Sequence, residues 1–143
     1  MGRDEADHIP RRVTTTSDLN DLADGDRVRE SVVEDLETKK ALFKELDGIV
    51  GHETIIATNT STLPVVELAM SVAHPERVCG IHFFNPAPVM ALIEIVRPIT
   101  ASDETIAEAT SFAEACGKAP VRVKDQAGFV VKARLFPYLN TPV

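Results

Sequence analysis

The order of elements in this 143-residue sequence predicts an α/β fold, a parallel sheet layered by helices. Three observations lead there. Short β-branched or apolar runs recur along the chain, stretches with helical spacing separate them, and polar clusters follow the ends of the strand-like runs. The hydrophobic content of 44% is ordinary for a globular chain and suits one core.

The elements follow in order. After a polar start, "RVTTT" (residues 12–16) is short and β-branched, and Ser17 or Asp18 can cap a helix over "LNDLAD" that Gly25 ends. "DRVRESVVE" places Val28, Val32 and Val33 in a strand, although Arg29 stands where a buried parallel strand wants an aliphatic residue. "DLETKKALFKELDGIV" has Leu36, Phe43, Leu46 and Val50 at helical spacing, with Asp35 and Lys39 four apart to pair on its surface. "TIIAT" is a buried strand ending in "NTST"; Pro64 then opens a helix for which Ser61 or Thr62 is an N-cap. "RVCGIHF" and "PVMALIEIVRP" are two more strands about a proline-containing turn. "SDETIAEATSFAEACGK" is a helix capped by Ser102 and closed by Gly117, with Ile106, Ala109, Phe112, Ala113 and Cys116 on one face. "PVRVKD" is a final strand, and "GFVVKARLFPYL" begins a new apolar helix.

Several function classes are excluded by composition. A net charge of −7 argues against nucleic acid or an anionic membrane surface, both of which need clustered Lys and Arg. The N-terminal "MGRDEADHIPRR" has no apolar core of a secretory signal, and nowhere do about 18 apolar residues run together, so no membrane partner and a cytoplasmic location are expected. The two cysteines, Cys79 and Cys116, have no spacing of a metal site or disulfide framework; they read as reduced thiols, and no metal is expected.

In a parallel open sheet, binding sites form where loops leave the carboxyl ends of strands. Three polar clusters fall there: "VVEDLETK", "NTST" and "HFFNP". Glu94 lies twelve positions after His82, and a turn through Pro86 and Pro88 can bring the two strands side by side. A carboxylate in such a strand is costly to bury unless it meets a donor, and an imidazole N–H is a suitable one. The carboxylate then fixes the tautomer and leaves the second ring nitrogen as a base, the chemistry for taking a proton from a hydroxyl or returning it. Ser61 and Asn85 offer a hydroxyl and an amide to orient a substrate oxygen; Ser61 reads equally as a helix cap, and Asn85 as a turn residue before Pro86. Phe83 and Phe84 read as core residues.

The stretches "ATNTSTLPV", "GIHFFNPAPVMALIEIV", "VVEDLETKKALFKELD" and "DQAGFVV…LFPYLN" resemble the 3-hydroxyacyl-CoA dehydrogenases, including relatives acting on 3-hydroxybutyryl-CoA, over residues 13–140. The resemblance implies a partial Rossmann-like layered sheet: a polar tail over 1–11, the second half of an NAD-binding domain over 12–125, and over 126–143 the first helix of an all-helical domain. It implies NAD as cofactor and interconversion of a 3-hydroxyacyl-CoA and a 3-oxoacyl-CoA. His82 is then the general base, Glu94 its orienting carboxylate, Ser61 and Asn85 contacts to substrate and cofactor, and Glu34 and Lys39 cofactor-contacting positions.

The departures are specific. None of the seven glycines falls in the family's GxGxxG turn, Lys132 replaces an asparagine, Ala133 and Arg134 follow with altered character, Ala91 replaces a lysine, and Arg29 an aliphatic residue. The chain is therefore expected to be a fragment that forms a homo-oligomer or associates through uncovered surfaces. Two readings stand: the dehydrogenase itself, or a non-catalytic remnant or accessory module binding acyl-CoA or a partner. A hydrolase with Ser61 as nucleophile fits poorly, since Ser61 lacks the GxSxG setting.

Overall fold

The computed structural model describes residues 12–126 together with 128 and 129. The tail expected over 1–11 and the helix expected beyond Phe129, with Lys132, Ala133 and Arg134, lie outside the described residues. Five strands, β1 (Arg27–Glu30), β2 (Ile55–Thr58), β3 (Val78–Phe83), β4 (Leu92–Arg97) and β5 (Ala119–Lys124), form one sheet in the order β1-β2-β3-β4-β5. Among the described residues, three α-helices, α1 (Leu36–Asp47), α2 (Val65–Ala69) and α3 (Asp103–Ala115), connect them.

The sheet is parallel at every junction except β3–β4, which is antiparallel. This is the layered sheet the sequence predicts, with the turn through Pro86 and Pro88 laying β4 back alongside β3. The connection over residues 84–91 is shorter than the roughly dozen residues a parallel crossover needs, so the chain can only turn back.

Strand alternation sorts the core into two layers. Ile56, Val78, Val96 and Val123 point to one face and pack with Phe43 and Leu46 of α1 and Val65, Leu68 and Ala69 of α2. Ile55, Ala57, Cys79, Ile81, Ile93 and Ile95 point to the other, against Ile106, Ala109 and Ala113 of α3. Gly80 sits in the first layer opposite Val96: a Cβ there would lie 2.7 Å from the Val96 Cβ and 3.3 Å from the Val65 Cγ2, so only glycine lets α2 approach the sheet this closely. Ser102 caps α3 by accepting from the Thr105 N–H, and Gly117, at φ 69°, follows its end, both as the sequence predicts.

Other local expectations are corrected. Residues 13–16 form no strand, and "LNDLAD" makes only a 3-10 turn over Leu19–Leu22, capped by Asp18. Val32 and Val33 lie beyond β1 and are exposed, because the chain leaves the sheet at Ser31 to reach α1. Cys116 is exposed where α3 ends, whereas Cys79 is buried in β3, its thiol pushed up to about 12 by desolvation. Arg29 faces the α3 side of an edge strand, where its guanidinium lies 4.2 Å from the Phe83 ring centroid. The local inconsistency in the sequence is thus a cation–π contact.

Candidate active site at the carboxyl ends of the strands

Along the face shared with α1 and α2, polar side chains replace aliphatic ones near the strand ends. Glu30 ends β1 and pairs in register with Thr58, which ends β2. His82, two residues beyond Gly80 on β3, faces Glu94 on β4. The antiparallel register puts the two side chains on one face, opposite each other, and His82 Nδ1 lies 2.9 Å from Glu94 Oε2. Both side chains are buried, at 7% and 2% exposure, so the contact is shielded from solvent screening. With the Nδ1–H donating to the carboxylate, Nε2 carries the lone pair. Phe84 packs against the imidazole with centroids 4.6 Å apart, and Phe129 at 5.7 Å. Phe83 and Phe84 are half-buried; Phe83 packs against the core layer under α3, as the sequence suggests, whereas Phe84 lies against the imidazole.

Asp35 and Lys39 do not form the surface pair expected on α1. Asp35 caps the helix by accepting from the Thr38 N–H, and Lys39 turns inward, 1% exposed. Its Nζ lies 2.6 Å from Glu30 Oε1, 3.5 Å from Glu34 Oε2 and 3.3 Å from the Val32 carbonyl. Glu30 also accepts from the Val32 N–H at 2.5 Å and the Thr58 hydroxyl at 2.7 Å, so the buried carboxylate is fully engaged. Sequence patterning missed Glu30 because it continues a strand whose other charged residues, Arg27 and Arg29, point to the opposite face; its signal was position in the alternation.

Glu34 reaches from the loop after β1 to the loop after β2. Its Oε1 accepts from the Thr60 hydroxyl at 2.5 Å and the Ser61 N–H at 3.0 Å, and from both the N–H and hydroxyl of Thr62 at 3.3 and 3.2 Å. Burial alone would raise this carboxyl, but the Thr60 hydroxyl, Ser61 amide, Lys39 ammonium and Thr62 hydroxyl outweigh it and hold it below the ordinary carboxylate range. Asn59 ties the same loop to β3, its Oδ1 accepting from the Phe83 N–H at 3.0 Å. The three polar clusters are therefore joined by hydrogen bonds. Ser61 is half-buried in this loop, and Asn85 is exposed in the turn after β3.

Neither Ser61 nor Thr62 caps α2. The Asp125 carboxylate does so from the end of β5, accepting from the Val65 N–H at 3.0 Å and the Val66 N–H at 2.7 Å. This decides how a dinucleotide fits. Glu34, 39% exposed, and the Ser61 hydroxyl are groups to which a ribose can hydrogen-bond. Its pyrophosphate needs free amides at a helix start, and those of α2 are taken by Asp125 while Asp35 occupies the Thr38 N–H of α1. Among the described residues, the side chains thus suit a ribose, while the Val65, Val66 and Thr38 amides are not free for a phosphate. Among the same residues, no group of three or more His, Cys, Asp or Glu side chains is placed to hold a metal ion, and no helix is long and apolar enough to cross a membrane.

A layered, largely parallel sheet with polar groups gathered outside its carboxyl ends defines a Rossmann-like ligand-binding domain. The model of the 3-hydroxyacyl-CoA dehydrogenase NAD-binding domain matches residues 1–126, and the chain belongs to that family. It is 44% identical over 141 residues to a 3-hydroxybutyryl-CoA dehydrogenase of Mycobacterium tuberculosis, covering 97% of this chain and 49% of that protein. A probable 3-hydroxybutyryl-CoA dehydrogenase of Deinococcus radiodurans is 41% identical, with 98% and 50% covered. The crystal structure of (S)-3-hydroxybutyryl-CoA dehydrogenase PaaH1 from Ralstonia eutropha superposes with a TM-score of 0.95 at 37% identity, over 98% of this chain and 50% of that one. The chain spans about half the length of these relatives.

Proposed function

We propose that the chain carries the proton-transfer machinery of an NAD-dependent dehydrogenase interconverting a 3-hydroxyacyl-CoA and a 3-oxoacyl-CoA, in the cytoplasm, within fatty-acid β-oxidation or butanoate metabolism. The buried 2.9 Å contact between His82 Nδ1 and Glu94 Oε2 is the observation that carries this reading. In the oxidising direction, His82 Nε2 accepts the proton of the C3 hydroxyl as the C3–O bond becomes a carbonyl. Glu94 accepts the Nδ1–H throughout, holding the ring and compensating the positive charge that forms on it. NAD, when bound, supplies the acceptor for the hydride that leaves C3. Ser61 and Asn85 orient the substrate oxygen by hydrogen bonding, and Glu34 faces the cofactor side, with Lys39 acting on it from beneath.

The test is oxidation of NADH by the purified chain with acetoacetyl-CoA, followed by absorbance, with His82→Gln alongside. Turnover is expected, and the variant is expected to lose about 10²- to 10⁴-fold. Absence of turnover in a chain folded by circular dichroism favours the second reading, an accessory acyl-CoA- or partner-binding module.

A further inference from the structure

Glu34 and Lys39 make more contacts with the protein than cofactor contact requires. Four donors from Thr60, Ser61 and Thr62 converge on one oxygen, Glu34 Oε1, across 26 to 28 positions of sequence. The other oxygen lies 3.5 Å from the buried Lys39 ammonium, which is fixed by Glu30 and the Val32 carbonyl. Of the Ser61 polar atoms, the backbone N–H meets Glu34, and its hydroxyl takes no part in the clamp. The loop is thus gripped on both sides of Ser61 while the Ser61 side chain stays available to a ligand.

We propose that Glu34 is a positioning residue for Ser61, acting through the Ser61 amide and the two flanking threonines, with Lys39 anchoring its second oxygen. This rests on the reading of Ser61 as a group that meets substrate and cofactor. Charge-assisted bonds are the strong ones, and a carboxylate held ionised by its neighbours keeps the loop in one geometry before any ligand arrives. Such preorganisation is what a side chain contributing orientation needs.

Hydrogen–deuterium exchange of the full chain tests this without requiring turnover. In Glu34→Ala the Ser61 and Thr62 amides are expected to exchange about tenfold faster or more, with amides of β2 and α1 keeping their native rates. Glu34→Gln keeps an acceptor oxygen and is expected to restore most of the protection, a rescue that generic loss of folding does not give. Native exchange at Ser61 and Thr62 in Glu34→Ala overturns the proposal. So does loss of protection that spreads equally through β2 and α1 in both variants. The functional reading of Ser61 fails separately, if Ser61→Ala turns over acetoacetyl-CoA at the native rate while the exchange pattern holds.

Discussion

Replacing Lys39 with methionine isolates the energetics beneath the site. Methionine matches the length of the lysine stem and removes only the ammonium, leaving the Glu30 carboxylate in a pocket where it has no exposure. Breaking a buried pair by deleting one partner costs about 3–5 kcal/mol, because an uncompensated charge remains. Here Glu30 keeps the Val32 N–H and the Thr58 hydroxyl as donors, so the lower end, about 3 kcal/mol, is expected. With a urea dependence of about 2 kcal/mol per molar, the unfolding midpoint of Lys39→Met falls by about 1.5 M, read by circular dichroism. Adding Glu30→Gln removes the stranded charge while its amide can still bond Val32 and Thr58, so the double variant recovers most of the loss. A single variant as stable as the native chain, or a double variant showing simple additivity, refutes the buried-pair account.

Three further outcomes follow from the geometry. Glu94→Ala is expected to lower the melting temperature more than His82→Gln, since it strands a buried imidazole without its acceptor; equal melting temperatures count against this. Gly80→Ala forces a Cβ within 2.7 Å of the Val96 Cβ and should cost about 1–3 kcal/mol in thermal melts, and an unchanged midpoint would mean that α2 and β4 yield easily. The Glu34 and Asp47 carboxyls both lie below their ordinary values of 4.5 and 3.8; at each, burial acts upward and is outweighed, at Asp47 by the Ala73 N–H and the Arg77 guanidinium. Their folded-state values lie below the unfolded ones, so the stabilisation is complete above about pH 4.5 and disappears as pH falls through the folded values. Melting temperature should therefore decline below pH 4.5, and less steeply in Glu34→Gln; identical slopes refute the assignment.

The sequence by itself determined the alternation of strands and helices, the cap at Ser102, the glycine closing α3, and the pairing of His82 with Glu94, and it narrowed the first cap to Ser17 or Asp18. These are local or nearly so: a twelve-residue separation across a proline-containing turn lets a hairpin bring the two side chains together, and caps depend on neighbours two or three residues away. Long-range partners were not legible. The cap of α2 is a carboxylate 59 and 60 positions away, Lys39 turns from a surface pair into a buried one with Glu30, and Glu34 holds a loop on the neighbouring strand. Periodicity assigns a residue to a face, but several acceptors compete for each donor on that face. Lys39 lies four residues from Asp35 along α1, and Glu30 takes it instead because the desolvated carboxylate needs the cation and the exposed one, engaged as a helix cap, does not.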